Sequence, residues 1–248
     1  MKRLAILLAL LSGCTSHAAV THVKVFVQQS TTSSASTATF TTSATNSNDA
    51  ICIQAAAAAN TLPTGVTITA SGWTFTQIAP ASGMTTWPSV ASAASLCAIS
   101  PNTTSVTFTV TFTGGANFSA TSILGDEFSG NDTTGGATTF DAQGAATATS
   151  GAPTVNVTPA NNDDGVWGAA QDNTSAVGSG YTKGADDTGG DWTEWKILSG
   201  GSGTPTTVNF SGTGGYIMQA VTIKPSGGAS PSTPWASKSR KLEMLDNN

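Results

Sequence analysis

Charge is what this 248-residue chain has least of: Asp, Glu, Lys and Arg together make up 9% of it, against about 25% in an ordinary soluble domain. A surface so poor in lysine and glutamate is wetted by hydroxyls and amides. Long solvent-facing helices are thereby excluded, since their outer faces depend on charged residues. Histidine is nearly absent. His17 lies in or beside the leader and His22 at the start of the mature chain, so no Ser-His-Asp triad or histidine-based zinc centre is expected in the body. No glycine-rich phosphate loop with its lysine occurs, which argues against nucleotide binding. The three cysteines form no Cys-x-x-Cys pair, which argues against a catalytic dithiol. What is plentiful is hydroxyl: roughly 70 residues are serine or threonine, with 27 glycines and 10 prolines. Threonine suits a pleated strand and loses rotamer freedom in a helix, and scattered glycine and proline punctuate turns. With 38% hydrophobic residues in regular alternation to bury a core, the chain is expected to be all-β and not disordered.

The first 18 residues read as a signal peptide. Lys2 and Arg3 form the charged end, and the apolar run Leu4 to Leu11 is far too short to span a bilayer. Leu11-Ser12-Gly13-Cys14 resembles the bacterial lipobox, which implies cleavage before Cys14 and lipidation of its sulfur. Ser16-His17-Ala18 offers ordinary cleavage as the alternative, with Cys14 discarded. Either route exports the protein, to be anchored through acyl chains in the first case and freely secreted in the second. Export places Cys52 and Cys97 in an oxidising compartment, where they are expected to pair across 45 residues. Two separate buried thiols are the other reading.

From residue 22 to 225 the chain alternates at period two. Val106, Phe108, Val110 and Phe112 fall on one face of Ser105–Thr113 and five hydroxyl residues on the other, the pattern of a strand wet on one side. About a dozen such strands are separated by Gly/Asp/Ser-rich turns, as at Ser129–Gly136, Asp186–Gly190 and Ser199–Gly203. A single jelly-roll-like antiparallel β-sandwich accommodates them. Two tandem Ig-like sandwiches dividing near Gly114-Gly115 are the alternative. Ala55–Ala59 alone has helix propensity, and five alanines cannot nucleate an isolated helix, so the run is expected to be a loop-borne turn or a strand end. Residues 226–248 form a Gly/Ser/Pro linker and a charged tail, expected to be disordered.

Gly125-Asp126-Glu127-Phe128-Ser129-Gly130, Asn162–Ala170, Gly180-Tyr181-Thr182, Glu194-Trp195-Lys196-Ile197 and Ala220–Pro225 occur in that order. The series resembles a broad group of uncharacterised exported bacterial and bacteriophage β-sandwich domains with an E-Y-S-G motif, Phe128 standing where tyrosine is usual. The resemblance covers about residues 23 to 225. It implies a fold and no reaction.

Between residues 22 and 225 twelve acids face four lysines, a net charge of −8, which repels nucleic acid. Asp126, Glu127 and Asp132, or Asp163 with Asp164, or Asp186 and Asp187 with Asp191, supply hard oxygen ligands of the kind calcium prefers, against the alternative of solvated turn aspartates. Glu127 with Glu194 or Asp191 are the carboxylates available for glycoside cleavage. In Asp191–Ile197, alternation sets Trp195 and Ile197 on the core face and Trp192, Glu194 and Lys196 on the other. That second face, with Trp87 from a loop between Thr86 and Pro88, offers an aromatic platform for a sugar ring; ordinary packing is the competing role. The expectation is an exported, lipid-anchored, non-catalytic β-sandwich for surface recognition, with a cell-surface glycan or envelope component as partner. A bacteriophage virion or fibre component and a carbohydrate-active enzyme are the alternatives.

Overall fold

The computed structural model describes residues 18–227 except Ser33, Asp172, Asn173 and Thr188. Residues 1–17, which hold most of the expected leader with Cys14, and residues 228–248 lie outside the described residues. The chain is an all-β sandwich of antiparallel sheets, as its composition leads one to expect. In chain order the strands are β1 (Thr21–Thr31), β2 (Thr37–Thr42), β3 (Ala50–Thr61), β4 (Gly65–Thr69), β5 (Thr76–Ala79), β6 (Thr85–Trp87), β7 (Ala91–Ile99), β8 (Val106–Thr113) and β9 (Ala116–Ser129). A helical turn, α1 (Gly136–Thr139), precedes β10 (Gln143–Ala148), β11 (Thr154–Val157), β12 (Gly165–Gln171), β13 (Thr174–Ala176) and β14 (Thr182–Asp186). The series ends with β15 (Trp192–Ile197), β16 (Thr206–Asn209), β17 (Ser211–Gly212) and β18 (Tyr216–Ile223).

Sheet I runs β1-β9-β3-β7-β5 with β6 also on β7; sheet II runs β10-β18-β12-β15-β14; sheet III is β2-β8-β4; β11-β16 and β13-β17 are ribbons. Strands up to β9 belong to sheets I and III, and later ones to sheet II and the ribbons. The chain therefore changes layer between Ser129 and Gln143. At Gly114-Gly115 it only turns from β8 into β9, within the first half.

Sheet I is the middle layer. Its one face, through Phe26, Ile51, Ile53, Ala55 and Leu96, packs on Val66, Ile68, Phe108 and Val110 of sheet III. Its other face, through Ala50, Cys52, Cys97 and Phe128, packs on Trp167, Val221 and Ile223 of sheet II. The outer face of sheet II is covered in turn by β11 and β16, where Val166, Met218 and Ala220 meet Val157 and Val208. Each Val, Leu, Ile, Phe or Met among these that is removed fully from water stabilises the fold by about 1.5–3 kcal/mol.

This layering corrects the reading of Ala55–Ala59. The run lies within β3, paired to β7 on one side and β9 on the other, and is neither a turn nor a strand end. Strand pairing on both edges and burial of Ala55, Ala57 and Ala59 against sheet III override helix propensity. Cys52 and Cys97 stand directly opposite on β3 and β7. Their sulfurs are 2.22 Å apart and their Cα atoms 4.2 Å apart, a disulfide, consistent with an oxidising location. Among the described residues no helix is long and apolar enough to cross a membrane.

Both ends of the described chain leave from one pole, where Ala18 bridges Ser226 and Asn131 bridges Pro225. From Thr21, opposite Ser129, β1 runs to Ser30, opposite Ser122, a span of roughly 30 Å at about 3.3 Å per residue.

Candidate functional site

At the pole away from the chain ends, sheet I runs out of large side chains. On its sheet II face, successive cross-strand rows read Asp126, Cys52, Cys97, then Leu124, Gln54, Ser95, then Ser122, Ala56, Ala93, then Ala120, Ala58, Ala91. The last rows are too short to fill the space between layers, and a cleft of about 210 Å³ opens over them. Ala56, Ala58, Ala91 and Ala120 form its floor, Trp87 one wall, and Gln171, Asp187 and Asp191 the polar side, with Ser30, Thr121 and Ser122 completing it.

Each wall is held from behind. Trp87 ends strand β6, paired to Ala91, and is not on a loop. Its ring sits so close over Gly215 that a Cβ there would overlap it. The Asp187 carboxylate shapes the turn before β15: Oδ1 accepts the N–H groups of Gly189 at 2.8 Å and Asp191 at 3.0 Å, and Oδ2 accepts the Ser122 hydroxyl at 3.2 Å. Gln171 joins a buried chain of amides between sheets I and II. Its Nε2 donates to Gln54 Oε1 at 2.6 Å, and Gln54 Nε2 donates to Gln219 Oε1 at 3.0 Å and to the Ala169 carbonyl at 3.2 Å. Gln219 Nε2 donates to the Ala93 carbonyl at 2.7 Å and Thr85 Oγ1 at 3.3 Å, and its Oε1 accepts Ser95 Oγ at 2.8 Å. The chain starts at Gln171 on the polar side and ends at Thr85, two residues from Trp87. A fully satisfied network of this kind is rigid.

The structure brings Trp87 and Asp191 together but separates the other candidates. Trp192, Glu194 and Lys196 do share a face opposite Trp195 and Ile197, but β16 covers part of it. Glu194 is fully buried; its carboxylate accepts Gly178 N–H at 2.7 Å and Asn209 N–H at 3.2 Å. Burial pushes its pKa up to about 7 against those two hydrogen bonds. Trp192 is half-buried, and Lys183 Nζ lies 3.9 Å from the centre of its ring. The expected Trp192–Glu194 platform therefore does not form, because alternation sets a side chain's face and not what covers that face.

The supposed calcium ligands also diverge. Asp126 and Glu127 are neighbours on β9 and point to opposite faces. Asp126 is fully buried on the sheet II side, bonded to His22 Nε2 at 2.9 Å and accepting Trp167 Nε1 at 2.9 Å and Thr193 Oγ1 at 2.5 Å. Glu127, on the sheet III side, accepts the Thr45 N–H at 2.5 Å and faces Lys24 Nζ at 3.6 Å. Asp132 pairs with Lys224 Nζ at 3.2 Å; partial burial opposes ionisation there, but Thr134 and Lys224 outweigh it and hold the carboxyl below the usual range. Among the described residues no three His, Cys, Asp or Glu side chains form a group that could hold a metal.

Sheets I and II both lie between Glu127 and Glu194. Packed sheets are about 10 Å apart, so these carboxyl groups cannot flank one glycosidic bond. Asp191, on the sheet II side of sheet I, is likewise cut off from Glu127.

What sequence reasoning missed is His22, which reaches into the body to Asp126, 104 residues away, and stacks on Trp195 with ring centroids 4.8 Å apart. A lone histidine near a chain end carries no local signal of such a partner. Gln171 was missed for the same reason, and Asp187 was singled out only among the turn aspartates that could serve calcium. Compared with known proteins, the chain matches no family model, no curated protein and no solved structure.

Proposed function

We propose that this is an exported, lipid-anchored, non-catalytic recognition module that binds a cell-surface or envelope glycan in the Trp87 cleft. The observation that carries the reading is the cleft's make-up: a tryptophan wall and a flat methyl floor beside hydroxyl, amide and carboxylate groups. A sugar ring has an apolar face of C–H groups and a rim of hydroxyls, and needs both kinds of surface. Rigid support behind each wall favours binding, because little side-chain freedom is lost on contact.

The poles support the anchored reading. Cys14 is four residues from Ala18, a reach of at most about 14 Å, so a lipid on its sulfur seats the pole with the chain ends at the membrane. The cleft is then held roughly 30 Å away, facing outward. The disulfide suits the same compartment.

The test is a glycan array probed with the wild-type domain, Trp87→Ala and Ala58→Leu. The first variant removes the wall, and the second fills the floor from a half-buried position that faces the cleft. Binding to at least one glycan, lost tenfold or more in both variants while their unfolding curves stay close to wild type, is the expected result. Binding indifferent to both variants sinks the cleft as the site.

A further inference from the structure

We infer that the cleft selects a single neutral or amine-bearing sugar ring and rejects acidic sugars; this rests on the glycan reading above and assigns its chemical class. Its size sets the first limit. At about 210 Å³ the cleft is smaller than the roughly 300–1,000 Å³ of sites that enclose drug-sized molecules. It has room for one ring.

The polar side sets the second limit. Asp187 and Asp191 line the cleft, and no lysine, arginine or histidine is among the described residues around it. A carboxylate only accepts hydrogen bonds and has about four acceptor positions. Among the described residues Asp187 uses three of these, on the Gly189 and Asp191 N–H groups and the Ser122 hydroxyl, in a fixed turn. The Ser122 proton is spent on Asp187, so its oxygen offers acceptor capacity. Gln171 likewise commits one of its two amide N–H groups to Gln54. Among the described residues the cleft thus presents several acceptors and no cation.

A ring that brings donors suits these acceptors. Sugar hydroxyls, an acetamido N–H or an ammonium group do so, and an ammonium also gains from the carboxylates. A uronate, sialate, sulfate or phosphate group brings further acceptors and a like charge into a partly desolvated site, where repulsion is little screened. No lysine, arginine or histidine among the described residues lining the cleft offsets that charge.

Matched saccharides separate the classes: glucose with glucosamine and glucuronate, and galactose with galactosamine and galacturonate, each as a terminal residue. Titrations are run by calorimetry in EDTA, so that no divalent ion bridges acid to acid. The expected result is binding of the neutral and amino forms of at least one series at ten times or more the affinity of its uronate. Asp191→Asn should narrow that ratio several-fold. A uronate that binds as tightly as its neutral partner overturns the selectivity and leaves the glycan reading standing. Absence of binding by every form, or binding that Trp87→Ala does not weaken, overturns both.

Discussion

Asp126 shows what one side chain can organise in a chain with so little charge. It has no exposure to solvent, yet three donors from three strands converge on it: His22 of β1, Trp167 of β12 and Thr193 of β15. These bonds tie sheet I to sheet II. Gly184 of β14 passes so close that a Cβ there would crowd both carboxylate oxygens, so the backbone itself closes the site. Asp126→Ala would strand the indole N–H in a dry interior and leave the Thr193 hydroxyl only the Ala185 carbonyl at 3.4 Å, and a loss of about 3–5 kcal/mol in unfolding free energy is expected. His22→Phe keeps a ring on Trp195 and removes one donor of three, so about 1–2 kcal/mol is expected. Urea unfolding of both variants measures the difference. Equal losses would mean that ring stacking, and not the carboxylate, holds the two layers here.

At the scale of elements, β3 and β8 explain what could and could not be read in advance. The alternation of β8 is plain because sheet III is wet on its outer face: Phe108, Val110 and Phe112 are buried while threonines fill the outward positions. Strands β3, β12 and β18 are covered on both faces and show no alternation, so Ala55–Ala59 displayed only its local helix propensity. The disulfide was legible because two cysteines in a domain expected to be exported leave one pairing. The site was half legible. Trp87 and Asp191 stood out as residue types, but their meeting with Gln171 and Asp187 depends on layers joined across more than 80 residues. The same layering makes adjacent positions of β3 differ sharply. Ala57 is buried against sheet III, whereas Ala58 is half-buried over the cleft. Ala57→Leu should cost about 1–3 kcal/mol by overpacking, and Ala58→Leu should be close to neutral in stability. Thermal unfolding of the two variants checks this, and equal losses would show that the floor of the cleft is packed.

Stacking sheets in layers buries carboxyl groups that a single sandwich would leave wet, and the whole molecule's response to pH follows. Burial pushes Glu194 up to about 7. Burial, and then the charge of Asp141, push Asp164 up to about 7. Burial and the neighbouring Glu127 raise Asp49 to about 6, and burial raises Asp141. In the unfolded chain such groups ionise near pH 4. Between about pH 4 and 7 the folded state therefore holds more protons than the unfolded state, and stability falls as pH rises through that window. Asp132, whose carboxyl is held low, acts oppositely, but only below its ordinary range and outside the window. The net charge of −8 on residues 22–225 at neutral pH adds self-repulsion in the same direction. One pKa unit corresponds to about 1.4 kcal/mol, and each kcal/mol to about 2–4 °C in a domain of this size. The melting temperature should thus be several degrees higher at pH 5 than at pH 8, the reverse of a protein held by exposed ion pairs. Asp164 offers the cleanest control, since Oδ2 accepts the Asn161 N–H at 3.1 Å while Oδ1 has no partner among the described residues. Asp164→Asn keeps the first contact and removes the charge, so it should raise the melting temperature at pH 8 and leave that at pH 5 nearly unchanged. A wild-type domain that melts higher at pH 8 than at pH 5 would mean that water reaches these carboxylates and that the layers are not closed over them.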